Sequence, residues 1–155
     1  MFKLIYTLRD HGWAVVEIGN GEAAFSISAS YMGDPLGDLA RATRGLICGL
    51  PQVTFDFIQE PGFHRFEVTC QGDDVFVEAF RLTGLFRSGA ECGESIFLAT
   101  CSLIQFVDAV ITCLSSVLEE VGEEEYLRRW KRQPFPSLEL EELVTLRRQY
   151  LAGAG

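Results

Sequence analysis

The two histidines are the side chains of this protein best suited to act as a general base at neutral pH. His64 alternates with Phe66 and Val68 on one predicted strand face, which favours a satisfied histidine of the core or sheet edge over a catalytic base. His11 lies in a turn beside Gly12, and the spacing identifies no catalytic partner for it. Neither histidine therefore predicts an active site.

The cysteines have the pattern of a reduced, intracellular protein. Their number is odd, their spacings are wide and no C-x-x-C pair occurs, so the sequence predicts neither a disulfide framework nor a zinc site. A Cys–His nucleophile would need the fold to bring Cys70 or Cys92 close to a histidine. Cys92 lies in a Gly/Ser-rich loop, and we expect it to be the most exposed and reactive thiol. The full set is Cys48, Cys70, Cys92, Cys101 and Cys113.

Charged motifs give no further indication of catalysis. Carboxylates are abundant, but none has the spacing of a metal-binding loop, and no glycine-rich phosphate loop is present. We therefore expect no enzymatic activity, no cofactor and no metal. The basic cluster at residues 128–132 would suit an anion, but it is more simply a helix end whose cations pair with Glu123–Glu125.

A formal net charge of −9 and a sequence pI near 4.7 constrain the choice of partner. Nonspecific nucleic-acid binding depends on Lys and Arg neutralising phosphates, so we expect no nucleic-acid partner. A strongly acidic protein instead attracts basic partners. The N-terminal segment is too short and too alternating for a signal peptide, which predicts a cytoplasmic protein.

The first half of the chain, residues 1–50, is predicted to form three antiparallel strands followed by a helix. Apolar and polar residues alternate from Phe2 to Leu8, from Trp13 to Ile18 and from Phe25 to Tyr31, as in half-buried strands. Asp34 can cap the helix that follows, whose apolar residues recur at helical spacing.

The second half, residues 51–132, repeats that order, with three strands followed by a helix predicted over Glu94–Lys131. Residues 133–155 add a loop and a C-terminal helix. The predicted fold is α+β, with a six-stranded, mostly antiparallel sheet and helices mainly on one face. The element order is βββαβββα plus the C-terminal helix, in a single domain over residues 1–155.

The apolar segment from Ser95 to Leu118 is long enough to cross a bilayer, since it carries a single charge, Asp108. Its polar residues recur at three- and four-residue steps, and its flanks are acidic rather than basic. We therefore predict a buried core helix and no membrane contact.

The side of the sheet away from the helices mixes large aromatics, small hydroxyls and carboxylates. That composition is typical of a recognition surface. The alternative is that the terminal helix or a second copy of the chain packs there. The residues predicted to contact a partner are Trp13, Glu17, Asp56, Arg65, Glu67, Phe76, Glu78 and Phe80.

Two stretches carry a resemblance to a family. Residues 28–42 read S-A-S-Y-x-x-D-P-L-x-D-L-x-R-A, and residues 60–62 add an E-P-G hairpin turn. This pattern resembles a family of small uncharacterised bacterial α+β proteins that are immunity-protein-like. The matching residues are those of strands, caps and turns, so the resemblance implies a shared fold and no activity, ligand or catalytic residue.

Together these features predict a non-enzymatic, acidic protein-binding module. Its most concrete form is an immunity protein that neutralises a basic bacterial toxin domain. A secretion-chaperone-like homodimer shares the size and acidity, and a structural homodimer joined through the sheet is a related alternative. The alternative from another class is a small-molecule-binding or enzymatic domain with a pocket near His64 and Cys70.

Overall fold

The computed structural model describes residues 1–83 and 93–153, over which seven strands and four helices follow one another. The strands are β1 (Lys3–Leu8), β2 (Trp13–Gly19), β3 (Ala24–Ser30), β4 (Gln52–Ile58), β5 (Phe63–Gln71), β6 (Asp74–Leu82) and β7 (Glu94–Ser102). The helices are α1 (Pro35–Ile47), α2 (Leu103–Glu120), α3 (Glu123–Trp130) and α4 (Ser137–Gly153).

The described strands form two antiparallel sheets rather than one. The first has the order β1-β2-β3 and the second the order β4-β5-β6-β7, so each strand pairs with its neighbour in the chain. The two sheets separate where α1 intervenes between β3 and β4. The α+β class and the first meander are confirmed, and the prediction of a single six-stranded sheet is wrong.

The strand β7 lies where the sequence predicted the start of a long helix. Phe97, Ala99 and Cys101 point inward along it, whereas Leu98 is exposed, and the whole strand pairs with β6. The predicted helix over Glu94–Lys131 is therefore wrong, because this segment contains β7, α2 and α3. Apolar residues on both faces of β7 hide the alternation, and a continuous apolar run fits a strand or a helix equally.

A capping box marks the true start of α2. The Ser102 hydroxyl accepts a hydrogen bond from the Gln105 N–H at 3.1 Å, and the Gln105 side-chain oxygen accepts one from the Ser102 N–H at 3.0 Å. Two N–H groups that the helix leaves unpaired are satisfied in this way.

Replacing Ser102 by alanine is expected to lower the free energy of unfolding by about 1 kcal/mol, because the Gln105 N–H loses its acceptor. Urea denaturation followed by circular dichroism measures the change. Ser116→Ala, at an exposed position of the same helix, is the control and should not destabilise. Equal midpoints for Ser102→Ala and the unaltered protein would contradict the capping role.

A single core joins both sheets to the helices. Phe25 of β3 contacts Phe97 of β7, with ring centroids 5.0 Å apart, so the inner sides of the two sheets meet. Fully buried residues of α2, such as Leu114, complete this core. Asp108 forms an ion pair with Arg147 of α4, which places the single charge of the apolar segment between two helices.

Among the helices in the described residues, none combines the length and the apolar character that crossing a membrane requires.

The basic cluster at residues 128–132 belongs to the end of α3. Arg128 and Arg129 both donate to Glu125, which confirms the predicted pairing within the helix. Trp130 is fully buried, and its indole N–H donates to the carbonyl of Gly33 at 3.2 Å. Trp130 therefore anchors α3 from within the cluster, whereas Lys131 and Arg132 are exposed.

Candidate functional site

The outward side of the four-stranded sheet brings together six of the eight residues predicted to contact a partner. Side chains alternate along each strand, and the register places Arg65 opposite Phe80 and Glu67 opposite Glu78. Leu98 of β7 lies opposite Glu78 on the same side. We use the name outer face for Asp56, Arg65, Glu67, Phe76, Glu78, Phe80 and Leu98.

An ion pair fixes one end of the outer face. The Arg65 guanidinium donates from Nε to Asp56 Oδ1 at 2.9 Å and from Nη2 to Oδ2 at 3.1 Å. This hydrogen bonding by Asp56 raises the pKa of the Arg65 guanidinium. The same guanidinium lies over the ring of Phe63, 5.4 Å from its centroid. The pair therefore holds β4 and β5 together and positions the rim of the site.

Two glutamates face each other at the centre of the outer face. Glu67 of β5 and Glu78 of β6 are directly opposite in the antiparallel register, an arrangement that is destabilising for like charges. Within residues 1–83 and 93–153, the pair receives one side-chain hydrogen bond, from the Ser95 hydroxyl to Glu78 at 2.8 Å. The neighbouring Arg65 donates from Nε and Nη2 to Asp56, and its positive charge also interacts with Glu67.

Apolar side chains flank this acidic pair. Phe76 is 36% exposed and Leu98 is 62% exposed, whereas Phe80 is half-buried. Exposed aromatic and aliphatic groups beside a few oriented polar groups are typical of protein interfaces. The sequence does not predict Leu98 on this side, because the apolar run around it fits a helix as well as a strand.

Trp13 and Glu17 lie on the other sheet. In the register of β2 and β3 they are opposite Ser30 and Ser26, so they share the predicted polar side of that meander. Because β3 and β4 are not hydrogen-bonded neighbours, these two residues do not belong to the outer face. The prediction of one sheet surface carrying all eight residues is therefore wrong.

Replacing Glu67 by glutamine is expected to raise the free energy of unfolding by about 0.2–1 kcal/mol, because it removes the repulsion across β5 and β6. In a Glu78→Gln background the same change should add little, since the repulsive partner is gone. Urea denaturation at low salt measures the effect of Glu67→Gln in both backgrounds. Glu22→Gln, in an exposed turn, is the charge-matched control. A destabilised Glu67→Gln variant would contradict the repulsion.

The two buried thiols, Cys101 and Cys113, are unsuited to nucleophilic catalysis. Cys101 and Cys113 are buried, and burial raises their pKa to about 11 and to about 12, respectively. A nucleophilic cysteine needs a lowered pKa. Cys92, predicted to be the reactive thiol, lies outside the described residues.

His64 and Cys70 lie too far apart to line one small pocket together. The two residues lie on the same side of β5, but six positions apart, which is about 20 Å along an extended strand. Cys70 instead donates to the carbonyl of Gly72 at the far end of the strand. In the described part of the chain, no three His, Cys, Asp or Glu side chains group as metal ligands.

Comparison of the chain with protein-family models, curated proteins and solved structures gives no match. The resemblance of residues 28–42 to a bacterial α+β family therefore stays a prediction.

Proposed function

We propose that this chain is a non-enzymatic protein-binding module that binds a basic protein through the outer face. The Glu67–Glu78 pair carries the proposal, because like charges directly opposite each other destabilise a sheet and neither carboxylate forms an ion pair with a Lys or Arg of residues 1–83 and 93–153. A Lys or Arg side chain of a partner, placed between the two carboxylates, would relieve that repulsion. It would also form charge-assisted hydrogen bonds, which are stronger than neutral ones.

The apolar side chains beside the glutamates support the same function. Phe76 and Leu98 would be covered by a partner that contacts the acidic pair, which removes their surface from water. Binding energy concentrates where such anchors lie near the centre of an interface. The net charge of −9 adds long-range attraction that speeds the encounter with a basic protein.

The most concrete partner is a basic bacterial toxin domain, for which this chain would act as the immunity protein. A domain that binds nucleic acid carries Lys and Arg to contact phosphates. An acidic protein surface competes with phosphates for those same side chains. Small size, acidity and an acidic–apolar face fit that role, and neutralisation by binding requires no catalytic group on this chain.

A second copy of the chain is the competing occupant of the outer face. A two-fold dimer buries the same patch on both subunits. The Glu67–Glu78 pairs of two copies would then approach each other, which adds repulsion between four carboxylates. The outer face therefore favours a basic partner over a chaperone-like or structural homodimer formed through it.

Affinity capture from the native lysate tests the proposal. Three proteins carrying the same tag are compared: the unaltered chain, a Glu67→Gln/Glu78→Gln variant and a Glu119→Gln/Glu120→Gln control. The two variants change the net charge equally. The unaltered chain and the control are expected to retain a basic protein in near-stoichiometric amount, and salt should weaken this binding. The Glu67→Gln/Glu78→Gln variant should not retain that protein. Recovery of the chain alone, or equal capture by all three proteins, would contradict the proposal.

A further inference from the structure

A cleft of about 660 Å³ lies between the two sheets, away from the outer face. One wall is formed by β3, including Phe25 and Ser28, and the other by β5, β6 and β7, including His64, Arg81 and Ile96. The turn between β4 and β5 closes one end. Hydroxyl and aromatic side chains therefore line the same cleft.

His64 is the unusual residue of this wall. It is only 3% exposed, yet its Nδ1 atom has no hydrogen-bond partner within the part of the chain that the structure describes. Buried polar atoms are nearly always hydrogen-bonded, and an exception needs a reason. Because Nδ1 is shielded from solvent in this conformation, a polar ligand atom in the cleft would supply the missing partner by turning the ring toward the cleft. The prediction of a satisfied core histidine is therefore corrected: the residue is in the core but unsatisfied.

Arg81 supplies a positive charge beside His64. Burial lowers the pKa of His64, and the positive charge of Arg81, its neighbour across β5 and β6, lowers it further. Glu60 lines the cleft from the turn, and Glu94 of β7 contacts Arg81 at 3.7 Å, a long ion pair. Arg81 is therefore the cationic group of the cleft that an anion would contact, and the anion would replace Glu94 as its partner.

We propose that this cleft binds a small organic carboxylate, with its negative charge on Arg81, its oxygen within hydrogen-bonding reach of His64 and its apolar body against Phe25 and Ile96. The volume suits a ligand of that size. The mixed lining disfavours a compact inorganic anion, because Phe25 and Ile96 would then face water or empty space. The site is independent of the outer face and of the partner proposed for it.

An NMR titration of the isotopically labelled full chain with benzoate tests this site. Benzoate is expected to shift the His64 ring resonances in a saturable way and to raise the pKa of His64, because the bound anion offsets Arg81. The neutral analogue benzamide should bind at least about tenfold more weakly than benzoate. His11, the other histidine, lies in an exposed turn and should not respond to either compound.

Arg81→Gln separates binding from nonspecific effects. This variant is expected to raise the pKa of His64 in the free protein and to weaken benzoate binding at least about tenfold. Arg148→Gln, at an exposed position of α4, should change neither. Unchanged His64 resonances up to high benzoate concentration, equal shifts of His11, or undiminished binding by Arg81→Gln would each overturn the proposal.

Discussion

Replacing Trp130 by alanine is expected to lower the free energy of unfolding by about 3–5 kcal/mol. The indole is fully buried, lies 6.1 Å from the ring of Tyr126 and 6.3 Å from that of Tyr6, and donates to the Gly33 carbonyl. One side chain thus connects α3 to β1 and to the segment before α1. Its removal leaves a cavity and deprives the Gly33 carbonyl of its partner.

Leu127→Ala is the matched control for that prediction. Leu127 lies on the same helix, but it is 44% exposed, so its loss should cost much less than the loss of Trp130. The loss of stability for Trp130→Phe should lie between those of Leu127→Ala and Trp130→Ala, because this variant keeps an aromatic ring and loses the hydrogen bond. Urea denaturation measures all three variants. Similar losses for Leu127→Ala and Trp130→Ala would show that α3 is not anchored as described.

The second large effect concerns the outer face, where stability and binding should change in opposite directions. Glu67→Lys places a cation opposite Glu78, so the free energy of unfolding should rise by about 0.2–1 kcal/mol. The same change presents a cation to a basic partner, and we expect affinity to fall by at least about 2 kcal/mol, or about 30-fold. Calorimetric titration with the captured partner measures the affinity, and urea denaturation measures the free energy of unfolding.

Glu22→Lys, in the exposed turn before β3, makes the same change in net charge away from the outer face. It should lower affinity only through weaker long-range attraction, an effect that salt removes. If both variants lose affinity equally, net charge and not the outer face determines binding. If Glu67→Lys unfolds the protein, the register argument itself fails.

Local patterns in the sequence predicted the elements whose signals are local. The alternation in β1 to β3 identified the first meander, and Asp34 caps α1 as expected, with its carboxylate accepting from the Gly37 N–H at 3.2 Å. The alternating polar residues of β5 and β6 also identified Glu67 and Glu78 as lying on one side. In each case the spacing of nearby residues decides the structure.

The features that the sequence did not predict depend on contacts between distant segments. The run around Leu98 is apolar on both faces, so only pairing with β6 reveals a strand. The separation of β3 from β4 follows from how α1 and the sheets pack, which no local pattern encodes. The unsatisfied His64 beside Arg81 likewise depends on a cross-strand register.

The most direct test of the central claim locates the partner on the surface by methyl NMR. Leu98 is 62% exposed on the outer face, and Leu138 is 72% exposed on α4, so the two leucines report on separate surfaces. Addition of the captured basic partner is expected to shift the Leu98 methyl resonances and to leave those of Leu138 in place. Shifts at Leu138 with an unchanged Leu98 would contradict binding through the outer face.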